Sequence, residues 1–263
     1  MRVFDFDSAI VRTPGKSVVD GLRAHSGPAP VYESVLAEHR SYVAALRGAG
    51  VAVTVLEPLE QFPDSVFVED PALVFTQAAV LLRPGAPSRM AEARELVSTL
   101  RDRFPAVLNL SEGFADGGDI LVTPASVFIG LSARTDTIGA AALQVLLQSI
   151  GLSSRVVEVP PGTLHLKSDC SLIDEETVLA TAELANSGVL EGLRALTVPG
   201  DERRAANAVR INDVVFIRAG CPRTLELLLK RGLNVVPLPG NEIALIDAGL
   251  SCMSLRWFGR LTT

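Results

Sequence analysis

The 263-residue chain is 48% hydrophobic and 21% charged, with a net charge of −6, the proportions of an ordered globule and not of a disordered segment. That acidic balance speaks against nucleic acid or an anionic membrane as the main partner, since both reward clustered Lys and Arg. No apolar run approaches the ~20 residues of a membrane span, so no membrane-spanning helix is expected.

Taken from its start, the sequence opens with Met1-Arg2-Val3-Phe4-Asp5-Phe6-Asp7, where early acids leave no signal-peptide core. The three cysteines make no disulfide framework, and a reducing cytoplasm is the expected location. Gly15-Lys16-Ser17 ends like a phosphate-binding loop, but Ile10 stands where that loop needs glycine. A helical pattern follows over residues 32–46.

From there one unit recurs: a short apolar strand, a polar or Pro-containing turn, a second apolar strand, then an amphipathic helix. Residues 71–75 and 78–82 form the first pair, with a helix expected over 90–100. Residues 119–122 and 127–129 form the second, followed by a helix over 138–147. The third pair is 170–173 and 177–180 with a helix near 188–196, and the fourth is 208–211 and 214–217 with a helix over 224–229. The N-terminal helix and closing strands around 243–255 complete a fifth copy from both ends of the chain. A period of roughly 40–50 residues signals an array or propeller more than a doubly wound sheet. Strands interleaved with helices place the chain in the α/β class. A chance run of hairpins is the alternative. Five closed units would form one α/β-propeller domain over residues 1–263, with every first strand entering at a central pore.

Polar residues collect at these entrances. They include Glu69-Asp70 after Pro63-Asp64-Ser65-Val66-Phe67-Val68, the run Asp116-Gly117-Gly118-Asp119, His165-Leu166-Lys167-Ser168-Asp169, and Cys252 near the C-terminus. Each has a plain structural reading. Asp and Gly dominate turns for steric reasons, and a free cysteine is usually a small core residue, which is also the reading for Cys170 and Cys221. Cys252, however, follows an Ala248-Gly249 turn within an apolar strand pattern. A nucleophile must emerge in this way from a rigid element beside the groups that activate it. His165 alternates with Leu164 and Leu166, so on a strand it faces away from both. His25 lies in a Gly/Pro-containing loop and His39 in a charged helix, and neither has a comparable setting. Gly130-Leu131-Ser132-Ala133-Arg134 lacks the last glycine of a serine-hydrolase elbow, and no CxxC or HExxH pattern cages a metal.

Several ordered motifs together resemble one family, the dimethylarginine dimethylaminohydrolases of the guanidine-modifying (pentein) superfamily. They are Arg12-Thr13-Pro14 with Val19-Asp20-Gly21-Leu22, the run from Phe62 to Asp70, Gly117-Gly118-Asp119, Gly130 to Thr135, Leu164-His165-Leu166-Lys167 and Ser251-Cys252-Met253-Ser254. The resemblance implies a five-fold pseudosymmetric α/β propeller with the active site at its central pore. It implies Cys252 as nucleophile, His165 as general acid/base and Asp116 as the acid that orients it. Some relatives carry the longer Glu at the position of Asp116. By the same resemblance Glu69 and Asp70 hold the guanidinium, Arg89 and Arg134 the substrate carboxylate, and Asp64 with the Leu22 carbonyl the α-amino group. Phe67 forms a wall and the Ile246 carbonyl lies near the guanidine.

The implied reaction converts asymmetric dimethylarginine or monomethylarginine to citrulline and dimethylamine or methylamine, with no metal or organic cofactor. Two alternatives stay open: another guanidine-modifying activity, such as arginine deimination or amidino transfer, and a non-catalytic binding protein of the same fold. Deiminases with this resemblance usually carry an inserted helical bundle, for which the hairpin spacing leaves no room. Apolar helix faces serve cores and interfaces alike, so a homo-oligomer is neither required nor excluded.

Overall fold

The computed structural model describes residues 2–24 and 26–259, so His25 lies outside the described residues. Among the described residues fifteen strands form five three-stranded sheets of one repeated pattern. The first sheet takes β1 (Ser8–Arg12) and β2 (Ala52–Leu56), which run parallel across helix α1 (Tyr32–Gly48). The second contains β3 (Ala72–Val74), β4 (Ala79–Leu81), α2 (Val97–Arg101) and β5 (Val107–Asn109). The third contains β6 (Ile120–Val122), β7 (Val127–Leu131), α3 (Thr137–Ser149) and β8 (Ser154–Glu158). The fourth contains β9 (Cys170–Leu172), β10 (Thr177–Ala180), α4 (Ala182–Ala185) and β11 (Arg194–Thr197). The fifth contains β12 (Val209–Ile211), β13 (Val214–Arg218), α5 (Pro222–Lys230) and β14 (Asn234–Leu238). Finally β15 (Leu255–Trp257) returns to the first sheet, pairing antiparallel with β1 through Ser8↔Trp257 and Ile10↔Leu255.

Each sheet is thus an antiparallel pair plus a parallel third strand reached through a helix. The expected strand-turn-strand-helix unit is present five times, and the fifth copy is built from both chain ends. The added element is the outer strand. Middle strands such as β13 read as continuous apolar runs because both faces are covered. Outer strands such as β2 and β8 are largely exposed or half-buried, so their hydropathy is too weak to announce them.

Two helices differ from expectation. In the fourth unit the helix is Ala182–Ala185, capped by Thr181, whose hydroxyl accepts from the Leu184 N–H. Gly188 and Gly192 follow at φ of +82° and +87°, which end it, and residues 194–197 form a strand instead. In the second unit the 90–100 pattern breaks into 3-10 turns and the short α2, where the apolar face Ala93, Leu96 and Leu100 is buried in the core and the charged pair Arg89 and Glu92 is buried beside it.

Core clusters join neighbouring units. Leu73, Val80, Ile120, Ile129 and Leu143 lock the second sheet to the third, and Leu121, Phe128, Leu166, Leu172 and Val178 lock the third to the fourth. Each large apolar side chain buried there contributes about 1.5–3 kcal/mol, so the ring closes by hydrophobic contact on both sides of every unit. No helix among the described residues is long and apolar enough to cross a membrane.

Candidate active site

A turn precedes the inner strand of each sheet, and the five turns are joined edge to edge. Gly117 N–H donates to the Asp70 carbonyl at 3.0 Å. The Leu166 N–H donates to Asp119 Oδ1 at 2.9 Å. Asn207 Nδ2 donates to the Lys167 carbonyl at 2.7 Å, and the Ser251 N–H donates to Asn207 Oδ1 at 3.0 Å. The ring closes where the Glu69 N–H donates to the Cys252 carbonyl at 3.1 Å. Every apposed turn therefore fixes its neighbour, and side chains at this level are held by backbone rather than by loops. Asn207 supplies the link of the turn before β12. Its signal was available: it precedes its strand at an offset comparable to those of the other entrance residues.

Glycine makes the approach possible. A Cβ on Gly118 would stand 2.7 Å from Cγ and Nδ1 of His165, and one on Gly117 would run into the Glu69 carbonyl. The Gly-Gly pair thus serves close packing of three turns.

On one side of this ring lies a cavity of about 120 Å³ lined by Leu22, Asp64, Phe67, Asp70, Arg89, Arg134, His165, Ile246 and Cys252, with Asp247 and Leu164 beside them. All the sequence-derived site residues reach it except two. Asp116 sits fully buried behind His165, its Oδ2 3.0 Å from His165 Nε2 and its Oδ1 accepting the Gly85 N–H at 2.7 Å. Glu69 turns away from the cavity. Its carboxylate pairs with Lys167 Nζ at 2.6 Å and Arg256 Nη2 at 3.0 Å and accepts the Ser251 hydroxyl at 2.8 Å. Adjacent residues face opposite ways, so only Asp70 of the acidic pair meets the pocket.

Local structure differs from the strand reading of two residues. His165 has extended backbone and caps a 3-10 turn, and Cys252 sits within the 3-10 turn Ser251–Met253. Tight turns suit this role because they aim single side chains inward at the strand entrance. Cys170 and Cys221 are buried elsewhere, and Cys252 is partly exposed.

The two arginines behave differently. Arg89 is buried, paired with Asp70 and Glu92, and donates to the Phe67 and Asp64 carbonyls at 3.0 and 3.3 Å. Arg134 approaches Asp116 Oδ2 at 3.8 Å and makes no side-chain hydrogen bond among the described residues. Asp64 accepts the Leu22 N–H at 3.0 Å, and burial pushes its carboxyl up despite Arg89.

Electrostatics sets opposite protonation tendencies. Burial alone would discharge His165, but Asp70, Asp116 and Asp119 outweigh it and raise the ring to about 9. Burial, then Asp70 and Glu69, push the Cys252 thiol up to about 12, against the Gly249 N–H and Lys167. The resting pair is therefore imidazolium and thiol. Asp70 stays ionised, its burial overcome by Arg89 and His165. One ligand atom each of Asp70, Asp116 and His165 lie within 4.8 Å of one another, but an imidazolium has no lone pair to offer a cation.

Comparison with known proteins shows the family. The model of eukaryotic N,N dimethylarginine dimethylhydrolase matches residues 28–184. A dimethylarginine dimethylaminohydrolase of Pseudomonas aeruginosa is 37% identical over 96% of this chain and 100% of its own length. One of Streptomyces coelicolor is 31% identical, over 94% and 96% respectively. The crystal structure of the Pseudomonas aeruginosa enzyme, a cysteine-to-serine mutant complexed with citrulline, superposes with a TM-score of 0.93 over 96% of this chain and 100% of that one.

Proposed function

Since the chain belongs to the dimethylarginine dimethylaminohydrolase family, we propose that it hydrolyses Nω-methylated arginine to citrulline and methylamine or dimethylamine in the cytoplasm, with Cys252 as nucleophile. The observation that carries this reading is one pocket in which Cys252, the Asp116-braced His165 and ionised Asp70 all face a guanidinium-sized space.

A guanidinium is planar, cationic and resonance-stabilised, so water attacks it poorly. Asp70 holds its N–H groups and fixes its plane. Bringing that cation beside Asp70 offsets the negative field that keeps Cys252 protonated, and the thiol releases its proton to solvent. The thiolate Sγ then adds to the guanidinium carbon. His165, already an imidazolium, gives its proton to the departing amine as the C–N bond breaks, leaving a covalent thiouronium. The neutral ring next takes a proton from water and the hydroxide adds to the same carbon; as the C–S bond breaks, the hydroxyl of the tetrahedral intermediate gives its remaining proton to the departing sulfur through solvent, which releases citrulline and restores the Cys252 thiol. Asp116 holds the imidazole in place through both half-reactions.

At the other end of the substrate, Arg134 has free donors for the α-carboxylate, while Arg89 frames the pocket by fixing Asp70. Asp64 and the Leu22 carbonyl take the α-amino group, Phe67 forms a wall, and the Ile246 carbonyl faces the guanidine.

The test is citrulline formation from asymmetric dimethylarginine by the intact protein and by Cys252→Ser. Unchanged production in the variant would remove Cys252 from the chemistry. Faster steady-state turnover of unmethylated arginine would move the assignment to a deiminase.

A further inference from the structure

On the opposite side of the turn ring lies a second, larger chamber of about 330 Å³, within the size range of small-molecule sites. Its walls are the five inner strands, contributing Leu73, Leu121, Leu172, Val209, Leu255 and Trp257. Its floor is the group turned away from the catalytic pocket: Glu69, Lys167 and Arg256. Counting all charged lining residues, the four cations Arg2, Lys167, Arg210 and Arg256 face the two acids Asp5 and Glu69, in a chain whose net charge is −6.

The outer cations are engaged. Arg2 pairs with Asp5 and Asp213, and Arg210 donates to the Asn212 and Ile173 carbonyls. At the floor, Arg256 donates to Glu69 and to Ser251 and Ser254. Lys167 differs. Its three ammonium donors have one partner among the described residues, Glu69 Oε1 at 2.6 Å, although its side chain is only 14% exposed. A partly buried ammonium with unused donors, at the end of an apolar shaft, calls for an anion with an apolar tail.

We propose that this chamber is a binding site, separate from the catalytic pocket, for an amphipathic monocarboxylate. Its carboxylate bonds Lys167 at the floor and its alkyl or aryl tail lies along the inner strands.

Trp257, the chain's single tryptophan, lines the chamber and reports its occupancy. Hexanoate and octanoate, titrated below their micellar concentrations into the full-length protein, are expected to change its emission saturably. Affinity should rise about fourfold per added methylene. Octylammonium, with the same tail and the opposite charge, should bind at least about tenfold more weakly, since it cannot accept from Lys167. Val209→Phe, which fills the shaft, should abolish saturation while leaving citrulline formation unchanged. Lys167→Met should reduce octanoate affinity to that of octanol, and it serves if Val209→Phe does not fold. Failure of octanoate to saturate, equal binding of octylammonium, or undiminished binding by the folded Val209→Phe protein would each overturn the assignment.

Discussion

His165 Nε2 stands 3.0 Å from Asp116 Oδ2, and the other oxygen of Asp116 is fixed by the Gly85 N–H at 2.7 Å. The carboxylate cannot swing away from the ring without abandoning that partly buried donor. Asp116→Asn keeps the shape and removes the charge. It should lower kcat roughly 10²-fold or more and bring the His165 titration down from about 9. Both are measurable, the second by NMR of the imidazole. An unmoved titration would assign the proton's retention to Asp70 and Asp119.

Two histidines predict opposite limbs of the stability–pH profile. His165 is raised above its ordinary 6.5 to about 9, so the folded state binds a proton that the unfolded state releases. That contribution is complete below 6.5 and is lost as pH rises towards 9, about 3 kcal/mol in all. His39 is lowered by burial to about 4, and its Nε2 has no hydrogen-bond partner among the described residues. The unfolded state binds that proton first, so stability falls as pH drops from 6.5 towards 4, again by about 3 kcal/mol. Urea unfolding across pH 4–9 checks both limbs, and His39→Leu should flatten only the acid one.

The site was legible in the sequence where the repeat was legible. Cys252, His165 and Asp116 could be grouped because each lies at the entrance of an inner strand, and the entrances meet. What could not be read was direction. Glu69 and Asp70 are equivalent acids in sequence, but in the turn before β3 they face opposite sides, and hydropathy does not distinguish which one meets the pocket. The outer strands escaped notice for a different reason: their exposure removes the alternation that identifies a strand. The fourth-unit helix was displaced because Leu190 and Leu193 mimic helical spacing, while the positive φ at Gly188 and Gly192 is a property of the folded chain.

Charge on the far side of the ring tunes the thiol. Glu69 pushes the Cys252 pKa up and Lys167 pulls it down, although neither lines the pocket. Glu69→Gln should therefore speed alkylation of Cys252 by iodoacetamide at pH 8, and Lys167→Met should slow it. Cys170, raised still further by burial beside Asp169, should remain unlabelled in both. Peptide mapping of the alkylated protein decides the outcome, and equal rates in the two variants would contradict the electrostatic account.

The Gly-Gly turn should separate activity from stability. In Gly118→Ala the new methyl meets the His165 ring at 2.7 Å and Asp70 Oδ1 at 3.0 Å, so a catalytic group must move. A kcat loss of about 10²-fold is expected from a displacement of this kind. Gly117→Ala instead meets the Glu69 carbonyl, which is held by the turn ring, and should cost about 1–3 kcal/mol of stability. Thermal unfolding beside steady-state kinetics distinguishes the two.

Arg89 and Arg134 line the same pocket but are committed differently. Removing Arg89 leaves Asp70 and Glu92 buried without their cation, so Arg89→Met should cost about 3–5 kcal/mol. That deficit should shrink as pH falls, because carboxylates stripped of a cation take up protons more readily; burial already raises Glu92 despite Arg89. Arg134 makes no side-chain hydrogen bond among the described residues and is partly exposed, with a side-chain accessibility of 19%. Arg134→Met should change stability by less than about 1 kcal/mol. It should raise KM for dimethylarginine about tenfold or more with a smaller effect on kcat, as loss of a charge-assisted bond to the substrate carboxylate would. Urea unfolding and steady-state kinetics on both variants test the division. If Arg89→Met folds normally with only KM raised, and Arg134→Met unfolds, the two roles are reversed.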